Sequence, residues 1–500
     1  MAKDHVLAID AGTSSCRSIV FDREGAMRGV SQSEFTQSFP QPGWVEHDAE
    51  EIWRIQLQTM REAVDASGVS PGELAGIGIT NQRETIVLWD RKTGVPVHPA
   101  IVWQDRRTSE ETERLRAAGH ESAVRDATGL LLDPYFSATK LRWLLDQVPG
   151  ARARAVRGEL AAGTIDAWLL WKLTGGRLHA TDASNAARTS LWNIHRADWD
   201  ADMLQLFDVP REILPEVVTS SGVVAECDAG ILGETIPISG IAGDQQAALF
   251  GQLCTEDGMV KNTYGTGCFM LMHTGTEAKP SPSRMLTTVA WRIGDGPLEY
   301  ALEGSVFIAG AAIQWLRDGL KIIDSAPQIN DLAGSVADTD GVFVVPAFSG
   351  LGAPHWDPRA RAAILGLTRG STDAHVALAT LRSLAYSTRD ILDCMASDSG
   401  IAIDQIRVDG GACASDLLMQ FQADILGVPV SRPAMVESTA AGAAYLAGLA
   451  TGVWRDVAEL DSHRTVDRVF QPAMEERERE RLMHWWRKAV DRSRDWSEEE

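Results

Sequence analysis

A cluster of polar side chains follows the first apolar run of the chain and could bind a phosphate group. Residues 6–9 (VLAI) predict a buried strand, and the turn after them is rich in acidic, hydroxyl and basic residues: Asp10, Gly12, Thr13, Ser14, Ser15 and Arg17. Backbone N–H groups of a tight turn bind anions, and hydroxyls and a guanidinium add donors. The lone carboxylate suits Mg²⁺, which binds proteins through one or two carboxylates together with phosphates. A plain hairpin turn remains open as an alternative.

A second turn of the same kind occurs after the middle of the chain. The stretch GMVKNTYGTGCFMLM again reads as a strand, a Gly/Thr turn containing Thr266, and another strand. Two such turns facing each other could hold a triphosphate from both sides. The chain has no G-x-x-x-x-G-K-[ST] loop, no G-x-G-x-x-G after a strand and no His-Arg-Asp kinase loop. This leaves the two-hairpin cleft of the actin, hexokinase and heat-shock ATPase type.

Two further segments of the second half are candidates for nucleotide contact. In RVDGGACASD, residues 407–416, a strand meets Gly410 and Gly411 before a helix, and glycine allows a ring or a phosphate to approach the backbone closely. The stretch AGAAIQWLRDG, residues 309–319, begins a helix with small residues. Each segment is also compatible with ordinary packing, as a strand-to-helix turn or a helix–helix contact.

A different set of residues suits a hydroxylated acceptor. Arg83 and Glu84 follow a predicted strand in ITNQRETIVLW, where Arg can donate to hydroxyls and Glu can accept from them. Asp244, in SGIAGDQQAALFGQ, begins a predicted helix, either as a helix N-cap or as the carboxylate that takes a hydroxyl proton in phosphoryl transfer. A surface ion pair is the alternative for the Arg-Glu pair. Three aromatic residues are candidates to pack on a small polyol, although each alone could belong to the core: Trp103, Tyr135 and Phe269.

The elements that position these residues alternate between strand-like and helix-like segments. Short apolar runs such as VLAID, LAGIGIT and TIVLWD alternate with helical patterns such as EEIWRIQLQTMREAVDAS, which predicts an α/β fold. The strand–turn–strand pattern restarts near residue 250. We therefore predict two related domains, residues 1–250 and 251–500, the second ending in an amphipathic helix and an acidic tail.

Bulk composition excludes several function classes. The 500 residues are 44% hydrophobic and 23% charged, no apolar run reaches membrane-spanning length, and the first residues lack the apolar region of a signal peptide. The six cysteines form no C-x-x-C pair, which favours reduced thiols in a cytoplasmic protein. A net charge of −22 argues against nucleic acid as a partner.

Nine motifs occur in order along nearly the whole chain: DAGTSSCR, ITNQRET, IVWQDRRT, DPYFSATK, IAGDQQAALFGQ, NTYGTGCF, ALEGSVFIAGAAIQWLRD, VPAFSGLGAPHWDP and RVDGGA. Together they resemble the FGGY family of carbohydrate kinases and, within it, the kinases of glycerol. The resemblance implies two actin-like (ribonuclease H-like) ATPase domains around a nucleotide cleft that closes on substrate. It implies ATP-dependent phosphorylation of glycerol to sn-glycerol 3-phosphate, a step of glycerol catabolism, with ATP and Mg²⁺ as cofactors and a homodimer or homotetramer as the assembly.

The resemblance also implies a role for each matching residue. Asp244 is the expected general base, and Asp10 is the expected metal ligand. The expected glycerol contacts are Arg83, Glu84, Trp103, Tyr135, Asp244, Gln245 and Phe269. The expected nucleotide contacts are Thr13, Ser14, Ser15, Arg17, Thr266, Gly310, Gln314, Gly411 and Ser415, the last of which replaces an Asn of relatives.

Two other functions remain open from the sequence. Another FGGY kinase would act on a pentulose or gluconate, against which the Arg83-Glu84 pair argues. A non-catalytic module of the same ATPase fold would bind nucleotide without needing Asp244 or that pair.

Overall fold

The computed structural model describes residues 3–497, so the last three residues of the predicted acidic tail lie outside the described chain. The α/β class predicted from the sequence is confirmed. The strands are β1 His5–Ala11, β2 Ser15–Phe21, β3 Met27–Glu34, β4 Gln37–Ser38, β5 Glu46–His47, β6 Leu74–Asn81, β7 Ile86–Asp90, β8 Ala100–Ile101, β9 Leu160–Thr164, β10 Ala180–Asp182, β11 Trp192–Asn193, β12 Asp198–Trp199, β13 Glu216–Val218, β14 Ser221–Glu226, β15 Pro237–Gly243, β16 Val260–Tyr264, β17 Cys268–His273, β18 Leu286–Arg292, β19 Leu298–Val306, β20 Phe343–Val345, β21 Ala363–Leu365, β22 Ile406–Gly410, β23 Val430–Pro433 and β24 Val466–Phe470.

The α-helices are α1 Ala49–Ser67, α2 Ser109–Ala117, α3 Glu121–Thr128, α4 Ser137–Gln147, α5 Ala151–Val156, α6 Ile165–Leu173, α7 Ala183–Ala186, α8 Ala201–Phe207, α9 Ala229–Leu232, α10 Asp244–Gly251, α11 Gly310–Asp318, α12 Gln328–Gly334, α13 Asp373–Ser399, α14 Asp416–Leu426, α15 Ser438–Thr451, α16 Val457–His463 and α17 Glu476–Ser493. Short 3₁₀ turns span Pro71–Glu73, Arg211–Ile213 and Gly411–Ala414.

The main sheet of the first half has six strands in the order β14-β15-β6-β1-β2-β3. Strands β1, β2 and β3 form an antiparallel meander, and β6 and β15 continue the sheet parallel to β1. Strand β6 is buried along its whole length, which explains its uninterrupted run of apolar and small residues.

The main sheet of the second half repeats this arrangement with seven strands in the order β18-β19-β17-β16-β22-β23-β24. Strand β16 is antiparallel to β17, β17 is antiparallel to β19, and β22 and β23 continue the sheet in parallel from β16. Each half therefore begins with an antiparallel hairpin whose turn carries the predicted Gly and hydroxyl residues. The predicted restart of the pattern corresponds to this repeated topology.

Helices α10 and α15 cross with their backbones nearly in contact. A Cβ atom on Gly442 would lie 1.8 Å from the carbonyl oxygen of Ala247, and one on Gly251 would lie 1.9 Å from the carbonyl oxygen of Ser438. Helix α15 also packs on the first sheet, where a Cβ on Gly78 of β6 would lie 2.1 Å from the carbonyl oxygen of Ala443. A helix late in the chain thus completes the core of the first half. The division at residue 250 stays a prediction.

The last helix, α17, is amphipathic as predicted. Its buried face includes Leu482, Met483 and Trp486, which join the core of the second half, and the indole of Trp486 donates to Asp390 (2.6 Å). Across residues 3–497, no helix is long and apolar enough to cross a bilayer. All six cysteines have free thiols.

Candidate functional site

The first hairpin turn is preceded by the half-buried carboxylate of Asp10, the last residue but one of β1. The N–H of Gly12 donates to the carbonyl of Ser15 (3.0 Å), which tightens the turn, and Asp10 lies opposite Arg17 in the β1–β2 pairing. Burial and, to a smaller extent, the nearby Asp244 raise the pKa of Asp10 to about 7, although Arg17 opposes the shift. Because a cation would relieve this carboxylate of its unfavourable surroundings, Asp10 fits a ligand of Mg²⁺.

No group of three or more His, Cys, Asp or Glu side chains capable of holding a metal ion occurs within residues 3–497. A single carboxylate is nevertheless compatible with Mg²⁺, because this ion keeps several waters and takes phosphate oxygens as further ligands.

Arg17 joins the two halves of the molecule. Its guanidinium forms an ion pair with Glu437, which directly precedes α15, and its Nη2 donates to Gln32 Oε1 (2.6 Å). Gln32 in turn donates to the hydroxyl of Ser15 (3.0 Å). The structure thus gives Arg17 protein partners, and any phosphate contact of Arg17 would compete with Glu437.

The second hairpin turn is joined to the start of α11. The carbonyl of Thr266 accepts from the amides of Ala309 (2.8 Å) and Ala311 (3.2 Å), and the carbonyl of Gly265 accepts from Gly310 (3.0 Å). A Cβ atom on Gly310 would lie 2.6 Å from the Gly265 oxygen, so only glycine fits there. The structure thus brings together two predicted nucleotide residues, Thr266 and Gly310, and Gln314 is exposed further along α11.

The third predicted nucleotide segment forms the turn between β22 and α14. Gly410 has φ +86°, and a Cβ there would lie 2.3 Å from the carbonyl oxygen of Tyr264, whereas Gly411 is exposed with open space around it. Ser415 is buried; its hydroxyl accepts from the amide of Leu418 (3.2 Å) at the N-terminus of α14 and also contacts Asn330. Gly411 is therefore accessible to a ligand, while the Ser415 hydroxyl is engaged by protein groups.

On the acceptor side, Arg83 donates four hydrogen bonds to protein partners through its two terminal nitrogens, and its Nε forms an ion pair. Its Nε lies 3.2 Å from Asp244 Oδ1, and Nη1 and Nη2 lie 2.6 and 3.1 Å from the two carboxylate oxygens of Glu303. The remaining two donors reach Gln246 Oε1 and the Tyr135 hydroxyl, both at 3.3 Å. Arg83 is 3% exposed, so the surface ion pair considered from the sequence is wrong.

Glu84 is held by a second guanidinium that sequence reasoning missed. Its Oε1 accepts from Arg188 Nε (2.6 Å), and Arg188 Nη2 lies 3.0 Å from Glu303 Oε1. Glu84 has φ +60°, an uncommon backbone for a residue with a side chain. Burial raises the pKa of Glu84, although Arg188 and Arg83 oppose the shift. We call the linked side chains of Asp244, Arg83, Glu303, Arg188 and Glu84 the ion cluster.

Glu303 lies at the centre of the ion cluster and comes from β19 of the second half. Burial by itself would raise the pKa of Glu303, but Arg188 and Arg83 outweigh burial and hold the pKa at about 2. The sequence gives only one signal for each of these two buried charges. Glu303 lies within the apolar stretch YALEGSV, and Arg188 follows the small residues NAA. A charge inside an apolar or small-residue run requires a buried partner, which the sequence does not name.

Asp244 is the first residue of α10, and Gly243 is the N-cap, so the helix-cap interpretation of Asp244 is wrong. Its Oδ1 accepts from the amide of Gln245 (2.7 Å) and forms an ion pair with Arg83 Nε (3.2 Å), and 28% of its side chain is exposed. Burial raises the pKa of Asp244, while Arg83 and Lys261 lower it. The carboxylate is therefore oriented by the protein and open to a ligand.

Lys261 is a further buried charge beside Asp244 that sequence reasoning missed. Its Nζ donates to Gln245 Oε1 (2.5 Å) and to the Thr263 hydroxyl (2.9 Å). Burial lowers the pKa of Lys261 to about 8, against the opposing charges of Asp409 and Asp244. Gln245, a predicted acceptor contact, is thereby fixed by a residue of the other half.

Two of the three predicted aromatic residues lie together. The rings of Trp103 and Tyr135 meet edge to face with centroids 5.6 Å apart, and Trp103 Nε1 donates to the Thr13 hydroxyl (3.0 Å). This bond connects a predicted acceptor residue with the first hairpin turn. Phe269 is half-buried on β17 and has no aromatic contact within the described part of the chain.

Comparison with known proteins places the whole chain in one family. Residues 5–251 match the N-terminal domain of the FGGY family of carbohydrate kinases, and residues 260–451 match its C-terminal domain. The chain belongs to the FGGY family of carbohydrate kinases. The sequence resemblance is thus confirmed at the level of the family.

Similar proteins include two curated glycerol kinases. The one from Rhodopirellula baltica is 58% identical over 495 residues, 99% of this chain and 92% of its own. The one from Deinococcus radiodurans is also 58% identical over 495 residues, covering 99% and 98% of the two chains.

Solved structures share the fold over nearly the full length. A Plasmodium falciparum glycerol kinase with ADP is 35% identical, with a TM-score of 0.93 over 98% of each chain. A ligand-bound xylulose kinase from Lactobacillus acidophilus is 20% identical, with a TM-score of 0.88, which supports the fold alone.

Proposed function

We propose that this FGGY kinase transfers the γ-phosphoryl group of ATP to a terminal hydroxyl of glycerol, giving sn-glycerol 3-phosphate. Its similarity to glycerol kinases over almost the whole chain supports this assignment. The structural observation that carries it is the Asp244 carboxylate, which is oriented by Arg83 and Gln245, accessible, and near Asp10 of the first phosphate turn.

In this proposal Asp244 accepts the proton of the attacking hydroxyl. Arg83 holds the carboxylate by one oxygen, and Glu84 accepts a hydrogen bond from a second hydroxyl of the acceptor. Trp103, Tyr135 and Phe269 contact the carbon side of the polyol, and Gln245 borders the same site. A base positioned in this way contributes about 10²–10⁴-fold to the rate of proton transfer chemistry.

The two hairpin turns hold the nucleotide phosphates. Thr13, Ser14, Ser15 and Thr266 supply amides and hydroxyls, and Arg17 supplies a guanidinium once it leaves Glu437. Gly310, Gln314 and Gly411 border the rest of the nucleotide, with Ser415 behind them. Asp10 is the residue that would hold Mg²⁺, which supplies positive charge to the phosphates when bound.

Closure of the cleft would exclude water, which is a smaller competing acceptor. We further propose a cytoplasmic homodimer or homotetramer that binds neither nucleic acid nor membrane. Light scattering on the purified protein measures the assembly, and a mass equal to that of one chain would contradict it.

A coupled assay of ADP release tests the function. The unmodified protein is incubated with MgATP and either no acceptor, glycerol, xylulose or gluconate. We expect release that depends on glycerol, with little for the two sugars. Release that is strongest with a sugar would reassign the chain to another FGGY kinase activity, and nucleotide binding without release in any arm would identify a non-catalytic module.

A further inference from the structure

The two carboxylates of the ion cluster that face the acceptor share one feature. Asp244 Oδ1 accepts from the Gln245 amide and is ion-paired with Arg83, and Glu84 Oε1 accepts from Arg188. Within residues 3–497, the second oxygen of each carboxylate, Oδ2 and Oε2, takes no hydrogen bond from the protein. Each side chain thus has one anchored oxygen and one oxygen left for a ligand.

The two anchoring guanidiniums are themselves joined by a single residue. Glu303 bonds both terminal nitrogens of Arg83, at 2.6 and 3.1 Å, and its Oε1 also lies 3.0 Å from Arg188 Nη2. The order of contacts is therefore Asp244, Arg83, Glu303, Arg188 and Glu84. Four of the five come from the first half of the chain, and the central one comes from β19 of the second half.

Arg188 is kept in an arrangement that is poor for stability alone. The side chain is fully buried against the faces of Tyr135 and Phe136, at 5.6 and 5.3 Å, and its Nη1 has no hydrogen-bond partner within the described residues. An unsatisfied buried donor opposes folding, so a purely structural role would favour a better-satisfied residue. Its other two nitrogens each bond one carboxylate of the ion cluster, as its planar geometry allows.

From this geometry we infer that Glu303 and Arg188 are positioning residues for acceptor recognition, fixing the free oxygens of Asp244 and Glu84 relative to each other. Neither residue needs to touch the acceptor. Since Glu303 belongs to the second half, the acceptor site is complete only when the two halves are docked. The inference rests on the proposed function and adds two residues to it.

Glu303→Gln and Arg188→Lys test this inference. Glutamine keeps the volume of Glu303 but cannot accept from two guanidiniums through both of its terminal atoms. Lysine keeps the charge of Arg188 but lacks the fork that reaches Glu84 and Glu303 together. Small displacements of positioned groups cost up to about 10²-fold in rate, so we expect kcat/KM for glycerol to fall about 10- to 100-fold.

The change should be specific for the acceptor. KM for ATP should stay within about twofold, because the hydrogen bonds of Glu303 and Arg188 involve no residue of the two hairpin turns. Glycerol should also raise the melting temperature of the unmodified protein more than that of either variant. The matched control is Asp200→Asn, which alters a buried carboxylate that bonds Asn193 (2.8 Å) and pairs with Arg196 outside the ion cluster.

The outcomes separate cleanly. If the unmodified protein releases no ADP with glycerol, the proposed function fails. If the unmodified protein does release ADP with glycerol, the inference is overturned by any folded variant of Glu303 or Arg188 whose kcat/KM for glycerol equals that of Asp200→Asn. Equal losses for glycerol and ATP overturn it as well. The inference is also overturned if none of the variants Glu303→Gln, Glu303→Asp and Arg188→Lys folds. That result would assign Glu303 and Arg188 to stability alone.

Discussion

At the scale of single residues, the candidate acceptor site consists of charges that are already paired. Arg83 donates four hydrogen bonds to protein atoms, and Asp244 is ion-paired with Arg83 and accepts from the Gln245 amide. A ligand therefore meets a carboxylate whose orientation is set before binding. Such preorganisation lowers the reorganisation needed at the moment of reaction.

Asp244→Asn should remove most phosphoryl transfer and leave the fold intact. The Asn Oδ1 atom can still accept from the Gln245 amide and lie beside Arg83, so the melting temperature should change little. Because an amide cannot accept the hydroxyl proton, turnover should fall by about 10²–10⁴-fold. Turnover at saturating glycerol and MgATP, measured with thermal unfolding, gives both quantities.

Two results would contradict the assignment of Asp244 as the base. One is a loss of less than about tenfold, below the range for positioned acid–base groups. The other is a variant that no longer binds nucleotide while its melting temperature is unchanged. Asp244→Glu provides the comparison in which a carboxylate is kept but displaced.

At the scale of elements, α4 is attached to the acceptor side through a buried lysine. The Nζ of Lys140 donates to the carbonyl of Tyr135 (2.8 Å) and lies 3.4 Å from that of Trp103. The pKa of Lys140 is lowered to about 7, mainly by burial and to a smaller extent by Arg106. The nearby carboxylates of Glu84, Asp105 and Asp133 oppose this shift. The helix thus ties together the two segments that carry the aromatic pair.

Lys140→Met should change the pH dependence of stability. Between pH 7 and the ordinary pKa of lysine, Lys140 is protonated in the unfolded chain and largely deprotonated in the folded chain. The free energy of unfolding of the unmodified protein therefore increases as the pH rises through this range. From pH 7 to pH 9 its free energy of unfolding should rise by about 2 kcal/mol relative to the Met variant. Urea denaturation at several pH values measures the difference, and a pH-independent difference would contradict the shifted pKa.

The crossing of α10 and α15 depends on glycine. Gly442→Ala places a Cβ atom 1.8 Å from the Ala247 carbonyl oxygen, so the helices must separate. Overpacking of a rigid contact costs about 1–3 kcal/mol or more, and we expect an effect of at least this size on the free energy of unfolding. Gly334→Ala, at the end of α12 with no atom within 4 Å of the new Cβ, is the control and should be nearly neutral. Equal effects of the two changes would show that the crossing tolerates a side chain.

The sequence predicted elements well where the signal was local. The runs VLAID, LAGIGIT and TIVLWD lie in β1, β6 and β7, and the helical pattern of residues 50–67 lies in α1. Both hairpin turns were predicted because glycine and hydroxyl residues interrupt apolar runs. In each case the periodicity or the turn chemistry is contained within a few residues.

The centre of the candidate site could not be predicted in the same way. Arg83 and Glu303 are separated by 220 positions, and Arg188 and Glu84 by 104 positions. A single sequence shows that each charge lies near apolar residues but not which charge it meets. The helix-cap interpretation of Asp244 failed for a local reason, since Gly243 takes that position and leaves the carboxylate free for Arg83.

At the scale of the whole molecule, the two halves are not independent pieces of chain. Helix α15 packs on the first sheet, and its residues Ala443, Ala444 and Leu446 share a buried cluster with Val6 and Phe21 of that sheet. Arg17–Glu437 and Arg83–Glu303 add charge contacts between the halves. The two sequence halves therefore complete each other's cores.

A fragment ending at residue 251 should fail to form the native first half. Without α15, the apolar face of the first sheet around Ala8 and Ile19 would be exposed. We expect a poorly soluble or loosely packed fragment, whereas co-expression with the remaining residues should restore soluble protein. Near-ultraviolet circular dichroism and a cooperative thermal transition measure native packing. A fragment that unfolds cooperatively by itself would support a domain boundary at residue 250.

The terminal nitrogens of Arg83, whose four N–H groups all have protein partners, have a consequence for the heat of ligand binding. A hydroxyl that enters beside these nitrogens replaces the Tyr135 hydroxyl or the Gln246 oxygen rather than filling an empty donor. Binding at this residue is an exchange of partners, in which the number of hydrogen bonds is nearly conserved. We therefore expect a small gain of enthalpy there, and a discrimination among polyols that depends on whether the displaced oxygen of Tyr135 or Gln246 finds a new donor on the ligand.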